Sequence, residues 1–152
     1  HPSKDQLVEI IHQTHASASK LFTEPPRVAL LSFSTFGSGG RDDTIELMQT
    51  VRQEFQDSEI LLDGEMQLDA AVNPVVAQKK FPNSPVAGHA NVLIVPDLNS
   101  GNILYKAFEH IAGFHVAGPI LQGFNFPVSD LSRGSSIADI ILTIEVMAKL
   151  AA

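Results

Sequence analysis

The sequence has no cysteine and no tryptophan, a single tyrosine, and ten basic residues against seventeen acidic ones. Each shortage removes a class of function. Without a thiol there is no disulfide, no thiolate zinc site and no cysteine nucleophile, so covalent chemistry would fall to Ser, Lys or a carboxylate. The absence also agrees with a cytoplasmic location, where disulfides are rare. A formal charge of −7, with the few cations scattered, argues against a nucleic-acid partner, which needs a concentrated basic face. No apolar run approaches the roughly 20 residues that span a bilayer, so no membrane partner is expected. The start at His1-Pro2, with neither Met nor an apolar leader, reads as a cut from a longer chain.

What is present is an ordinary globular composition, 152 residues of which 44% are apolar, enough for one domain with a substantial core. Ser3 and Gln6 have capping-box spacing ahead of a helix faced by Leu7, Ile10, Ile11, Ala18, Leu21 and Phe22, which stops before Pro25-Pro26. "RVALLSF" (27–33) reads as a strand, and Asp42-Asp43 opens a helix with Ile45, Met48, Val51 and Phe55 inward. "EILLD" (59–63) reads as a second strand, followed by helix over 66–81 that restarts at Asn73-Pro74. "ANVLIVPDL" (90–98) is a third strand, apolar enough to be covered on both faces. A helix over 100–113 follows, with Ile103, Leu104, Ala107, Phe108 and Ile111 inward; then a fourth strand over 114–121. The last helix starts at Ser136, with Ile137, Ile140, Ile141 and Ile144 buried. Strands alternating with helices predict an α/β fold, three layers α/β/α around a mostly parallel sheet.

Ligands of such sheets bind beyond the carboxyl ends of the strands. Two polar, glycine-bearing segments fall there. In "LSFSTFGSGG" (31–40), Ser34, Thr35, Gly37 and Ser38 are candidate substrate-binding residues, since such a loop either cradles phosphate with its N–H groups or is simply flexible. In the second segment Gln122 and Asn125 are candidates just past the fourth strand, and "PVSDLSRGSSIADI" (127–140) follows. A capping box explains Ser136 and Asp139, but not Ser132 and Arg133. An arginine at the positive pole of a helix is misplaced unless an anion joins it. Asp63, Glu65 and Asp69 could ligate a hard cation, or merely favour a helix N-terminus; the second is simpler, and no metal is expected. Asn102, Tyr105 and Lys106 lie near a helix start, either as surface residues or as ligand contacts.

"VALLSFSTFGS", "DGEMQLDAAVNP", "VAGHANVLIVPDLNSGNILYK" and "GPILQGFNFPVSDLSRGSS" with Asp139, in this order and spacing, resemble the second half of the phosphate acetyltransferase (phosphotransacetylase) family, which includes acetyl and butyryl transferases. The resemblance implies an isocitrate/isopropylmalate dehydrogenase-like phosphotransacetylase fold. This chain, 1–152, would be its C-terminal α/β domain, with an N-terminal domain of the same protein absent. It implies reversible acetyl transfer between coenzyme A and phosphate, with coenzyme A, acetyl-CoA, acetyl phosphate and phosphate as partners, no tightly bound cofactor, and a homodimer. The catalytic serine and arginine fall on Ser132 and Arg133, and the aspartate that takes the thiol proton falls on Asp139. A carboxylate can do so if partial burial raises its pKa. Of the four arginines, Arg27, Arg41 and Arg52 are poorly placed to help, so the chain alone is expected to be inactive. The alternatives are a phosphate butyryltransferase, or the phosphotransacetylase-like regulatory domain of a malic enzyme, which binds acetyl-CoA without transferring it. Retention of Ser-Arg-Gly and Asp139 favours the enzyme.

Overall fold

The computed structural model describes all residues from His1 to Ala152. Its centre is strand β1 (Arg27–Leu31), whose four residues from Val28 onward are all buried. β1 lies between β2 (Leu61–Met66) and β3 (Val92–Ile94), parallel to both. Successive side chains of a strand point to opposite faces, so β1 feeds two cores at once. Val28 and Leu30 pack with Leu7 and Ile11 of α1 (Lys4–Leu21) and Met48, Val51 and the flanking Phe55 of α2 (Asp43–Glu54). Ala29 and Leu31 pack with Ala70 and Ala71 of α3 (Leu68–Val72), Ala77 of α4 (Pro74–Lys80), Phe81 and Val86. With ten buried residues in one cluster and nine in the other, both faces are covered, which makes the three-layer α/β/α arrangement. No helix is long and apolar enough to cross a membrane.

The helix starts follow their caps. Ser3 and Gln6 close the box on α1, the Asp42 carboxylate accepts from Thr44 N–H, and Asn73 accepts from Val75 and Val76 N–H with Pro74 at the first position of α4. Asp97 caps α5 (Leu98–His110) by accepting from Ser100 N–H at 2.8 Å.

Four expectations are corrected. The second strand runs through the acidic stretch to Met66 rather than over 59–63, because each charge there finds a partner. The third is only Val92–Ile94. Residues 114–121 do not join the sheet; only Ile120–Leu121 (β4) is strand, paired antiparallel with Val128–Ser129 (β5) as a separate ribbon. Pro119 has no N–H for a central strand, and Gly118 N–H goes to Thr143 Oγ1 at 3.0 Å. Finally, the apolar faces of the last two long helices are not closed by this chain. On α5, Leu104, Ala107 and Phe108 are half-buried, but Ile103 and Ile111 are exposed. On α6 (Ile137–Ala151), Thr143 is buried with Ile140, Met147 and Leu150 beside it, while Ile137, Ile141 and Ile144 form an exposed stripe. Apolar spacing shows that a face needs cover; it does not say which chain supplies it.

Candidate active site

The loop after β1 is organised by a residue that its acidic neighbours conceal in the sequence. Leu30 pairs with Gly64 and Leu31 with Met66, so Glu65 is the extra residue of a bulge. A Cβ on Gly64, whose φ is +151°, would stand 2.7 Å from Leu30 Cβ, so only glycine fits where the strands close up. Glu65 is fully buried and has no cation. Its carboxylate accepts from Ser34 Oγ (2.9 Å), Gly37 N (2.6 Å) and Gln49 Nε2 (3.1 Å), and its carbonyl accepts from Phe36 N.

The rest of the loop closes on itself. Thr35 N donates to Ser38 Oγ, Ser38 N to the Thr35 carbonyl, Gly39 N to Ser34 Oγ and Gly40 N to the Gly37 carbonyl. Thr35 Oγ1 accepts from Gln67 N at 3.0 Å. Every N–H from Ser34 to Gly40 therefore has an internal acceptor. Ser34, Thr35, Gly37 and Ser38 are brought together as expected, but as a knot rather than an open phosphate cradle. The cradle idea is corrected on that point: a ligand would meet the outside of this knot.

Asp63, Glu65 and Asp69 point three different ways. Asp63, nearly buried, pairs with Arg52 Nε at 2.6 Å, and the Arg52 guanidinium lies about 6 Å from the stacked rings of Phe36 and Phe81. Asp69 pairs with Lys80 at 2.8 Å. Arg27 is occupied by Glu24 and the His89 carbonyl. Neither arginine is free to hold a substrate anion.

The second segment gathers around the start of α6. Ser136 Oγ accepts from Asp139 N, and Asp139 Oδ2 accepts from Ser136 N (3.1 Å) and Ser136 Oγ (2.6 Å), completing the capping box. The Ser136 hydroxyl first, then its N–H, hold the Asp139 carboxyl below the ordinary aspartate range; the Val116 N–H and His115, 3.9 Å away, act in the same direction, and partial burial only offsets them. A general base at this position needs a pKa raised by partial burial. The hydrogen bonds overturn that, because they favour the charged form more than partial desolvation disfavours it. Ser132 and Asp139 face one narrow recess of about 10 Å³, shared with Ser135 and with Tyr105, Lys106 and Glu109 of α5. Arg133, next to Ser132 in the chain, is not among the residues that line it; it is exposed and has no ion-pair partner. The Asp139 carboxylate already sits at the positive pole of α6, which is where an incoming anion would bind.

Gln122 and Asn125 lie elsewhere, on the β4–β5 ribbon, where they line an open cavity of about 410 Å³ with Lys20, Phe124 and Phe126. Gln122 is a tether to α1, accepting from Thr14 Oγ1 at 3.1 Å and donating to Ser17 Oγ. Of the expected site residues, Ser132 and Asp139 thus share a recess, while Arg133 and the loop and ribbon groups do not line it. Sequence reasoning missed Glu65 as the organiser of the loop and left Lys106 undecided. The signal for Glu65 was its place inside "LLDGEM", apolar on both sides.

The chain is similar to known proteins along nearly its whole length. The sequence pattern of the phosphate acetyl/butaryl transferase family matches residues 1–148. The phosphate acetyltransferase of Bacillus subtilis is 46% identical over 140 residues, covering 91% of this chain and 43% of its own length. Among solved structures, a phosphotransacetylase from Staphylococcus aureus superposes with a TM-score of 0.86 at 39% identity, over 100% of this chain and 47% of that one. A branched-chain phosphotransacylase from Enterococcus faecalis gives 0.83 at 27% identity, over 99% of this chain and 56% of that one. The chain spans less than half the length of the curated relatives it matches. A chain matched almost end to end, with the family's fold built around these segments, belongs to the phosphate acetyl/butaryl transferase family.

Proposed function

We propose that this chain is the C-terminal domain of a phosphate acetyltransferase and forms one wall of its active cleft, where an acetyl group passes reversibly between coenzyme A and phosphate. The observation that carries the reading is the recess lined by both Ser132 and Asp139, with Arg133, the residue after Ser132, exposed and in no ion pair. Towards acetyl-CoA, Asp139 takes the thiol proton, the sulfur attacks the acetyl carbonyl, and the carbon–oxygen bond to phosphate breaks with phosphate leaving. Arg133 and the Ser132 hydroxyl stabilise the charge that gathers on the departing and carbonyl oxygens. Coenzyme A is a substrate here, not a resident cofactor.

An ordinary thiol titrates near pH 8.5 and an ordinary aspartate near 3.9, with approximate values either way. Asp139 lies lower still, so as a base it must exchange its Ser136 bonds for a drier setting, which the other wall of the cleft supplies when it closes. The chain alone is inactive on this reading. Arg27 and Arg52 are engaged elsewhere, and the absence of even one transition-state donor costs about 10²–10³ in rate. Acetyl is favoured over butyryl because relatives at 44–46% identity bear the name phosphate acetyltransferase. The same reading makes the protein a cytoplasmic homodimer.

The test is coenzyme A-dependent release of phosphate from acetyl phosphate by the full-length protein, run beside Ser132→Ala and Asp139→Asn. Turnover that collapses in both variants is expected. Binding of acetyl-CoA without turnover in the wild type would favour the malic-enzyme type of regulatory domain.

A further inference from the structure

A lysine on a helix that buries none of its residues normally runs out into water. Lys106 does not. Its side chain is 34% exposed, folded back so that Nζ lies 4.6 Å from the centre of the Tyr105 ring and 2.9 Å from Glu109 Oε2. All three side chains line the recess of Ser132 and Asp139. Hydrogen bonding to Tyr105 first, and to Glu109 next, raises the Lys106 pKa above its ordinary value, so it is a full cation at neutral pH.

The recess holds two carboxylates, Glu109 and Asp139. Lys106 is the only lysine or arginine that lines it, so without Lys106 the two carboxylates would stand uncompensated and repel a phosphate dianion. Arginine supplies a fixed fork for phosphate oxygens, and a lysine on its flexible stem supplies a charge that can move to meet them. We propose that Lys106 is a second phosphate-binding cation of this site, leaving Glu109 to contact the phosphoryl oxygens of the substrate that Arg133 holds. The proposal deepens the transferase reading and rests on it for the identity of the anion.

An ordinary helix-surface ion pair with Glu109 predicts a different pattern, and two variants separate the two. Lys106→Met and Glu109→Gln both break the pair, but only the first removes the cation. In the full-length protein, Lys106→Met should raise KM for phosphate about ten- to hundredfold, the worth of a charge-assisted hydrogen bond, with kcat changed far less. Lys106→Arg should recover most of that affinity, and Glu109→Gln should leave KM unchanged or lower it. Equal changes in the same direction from Lys106→Met and Glu109→Gln, or a Lys106→Met enzyme with unaltered KM, would overturn the proposal. Reductive methylation of Lys106, read by peptide mass spectrometry with and without inorganic phosphate, keeps the two readings apart. Protection of Lys106 in a protein with no acetyl transfer would overturn the transferase reading alone; transfer without protection would overturn the role of Lys106 alone.

Discussion

The buried Glu65 carboxylate offers the sharpest test of the architecture. Glu65→Ala deprives three donors of their acceptor: the Ser34 hydroxyl, the Gly37 N–H and the Gln49 amide. A donor left without a partner costs about 1–3 kcal/mol, and the low end applies here because Gln49 is half-buried and the Ser34 hydroxyl can turn. The cavity left by the side chain adds to this, and relief from burying a charge without a cation subtracts from it. The net is a loss of about 3 kcal/mol, which for a domain of this size lowers Tm by about 6–12 °C. Glu65→Gln should cost about 1 kcal/mol, since an amide oxygen can stand where Oε1 stands and the Gln49 amide can flip to receive the new NH2. Thermal melts of the chain followed by circular dichroism measure both. The reasoning fails if Glu65→Ala melts within about 2 °C of the wild type, or if Glu65→Gln costs as much as Glu65→Ala.

Two further predictions concern α6. Because the Asp139 pKa is depressed in the fold, its ionised form stabilises the protein above the unfolded value near 3.9, and that contribution disappears as pH falls through the lower folded value. The stability gap between wild type and Asp139→Asn should therefore be widest near neutral pH and shrink in acid; a gap constant from pH ~7 to ~3 would show that the depression has no energetic consequence. The exposed stripe, in which Ile137 is 78%, Ile141 52% and Ile144 63% accessible, should drive self-association of the isolated chain, weakened by Ile141→Lys. Sedimentation that finds a strict monomer at high concentration would refute this.

The sequence was readable wherever a local rule decided the outcome. The capping boxes of α1 and α6, the Asn73-Pro74 restart and the inward Ile45, Met48, Val51 and Phe55 of α2 are all in place, because each depends on residues within a turn or two of one another. The strand β1 was equally plain from its unbroken apolar run. What escaped depended on partners distant along the chain. Asp63 and Glu65 look like helix-starting acids until Arg52 and the loop around Ser34 close on them from elsewhere in the fold. Residues 114–121 read as a fourth strand because their apolar run is local, whereas the bond from Gly118 N–H to Thr143, 25 residues away, is not. At the site, the constellation around Ser132 and Asp139 came from the resemblance, whereas the depressed Asp139 pKa and the inward fold of Lys106 needed the surroundings of each side chain.

The knot after β1 also bears on any ligand that meets this edge of the sheet. Three glycines and a run of small hydroxyl residues would ordinarily form a segment with many accessible conformations, and binding would have to quench that freedom. Here Glu65 has already selected one conformation and the backbone groups are committed to it. The ordering cost falls on folding and not on association, so any ligand that met this loop would find a preorganised surface, and its affinity would depend on fit rather than on the entropy of closing a floppy chain.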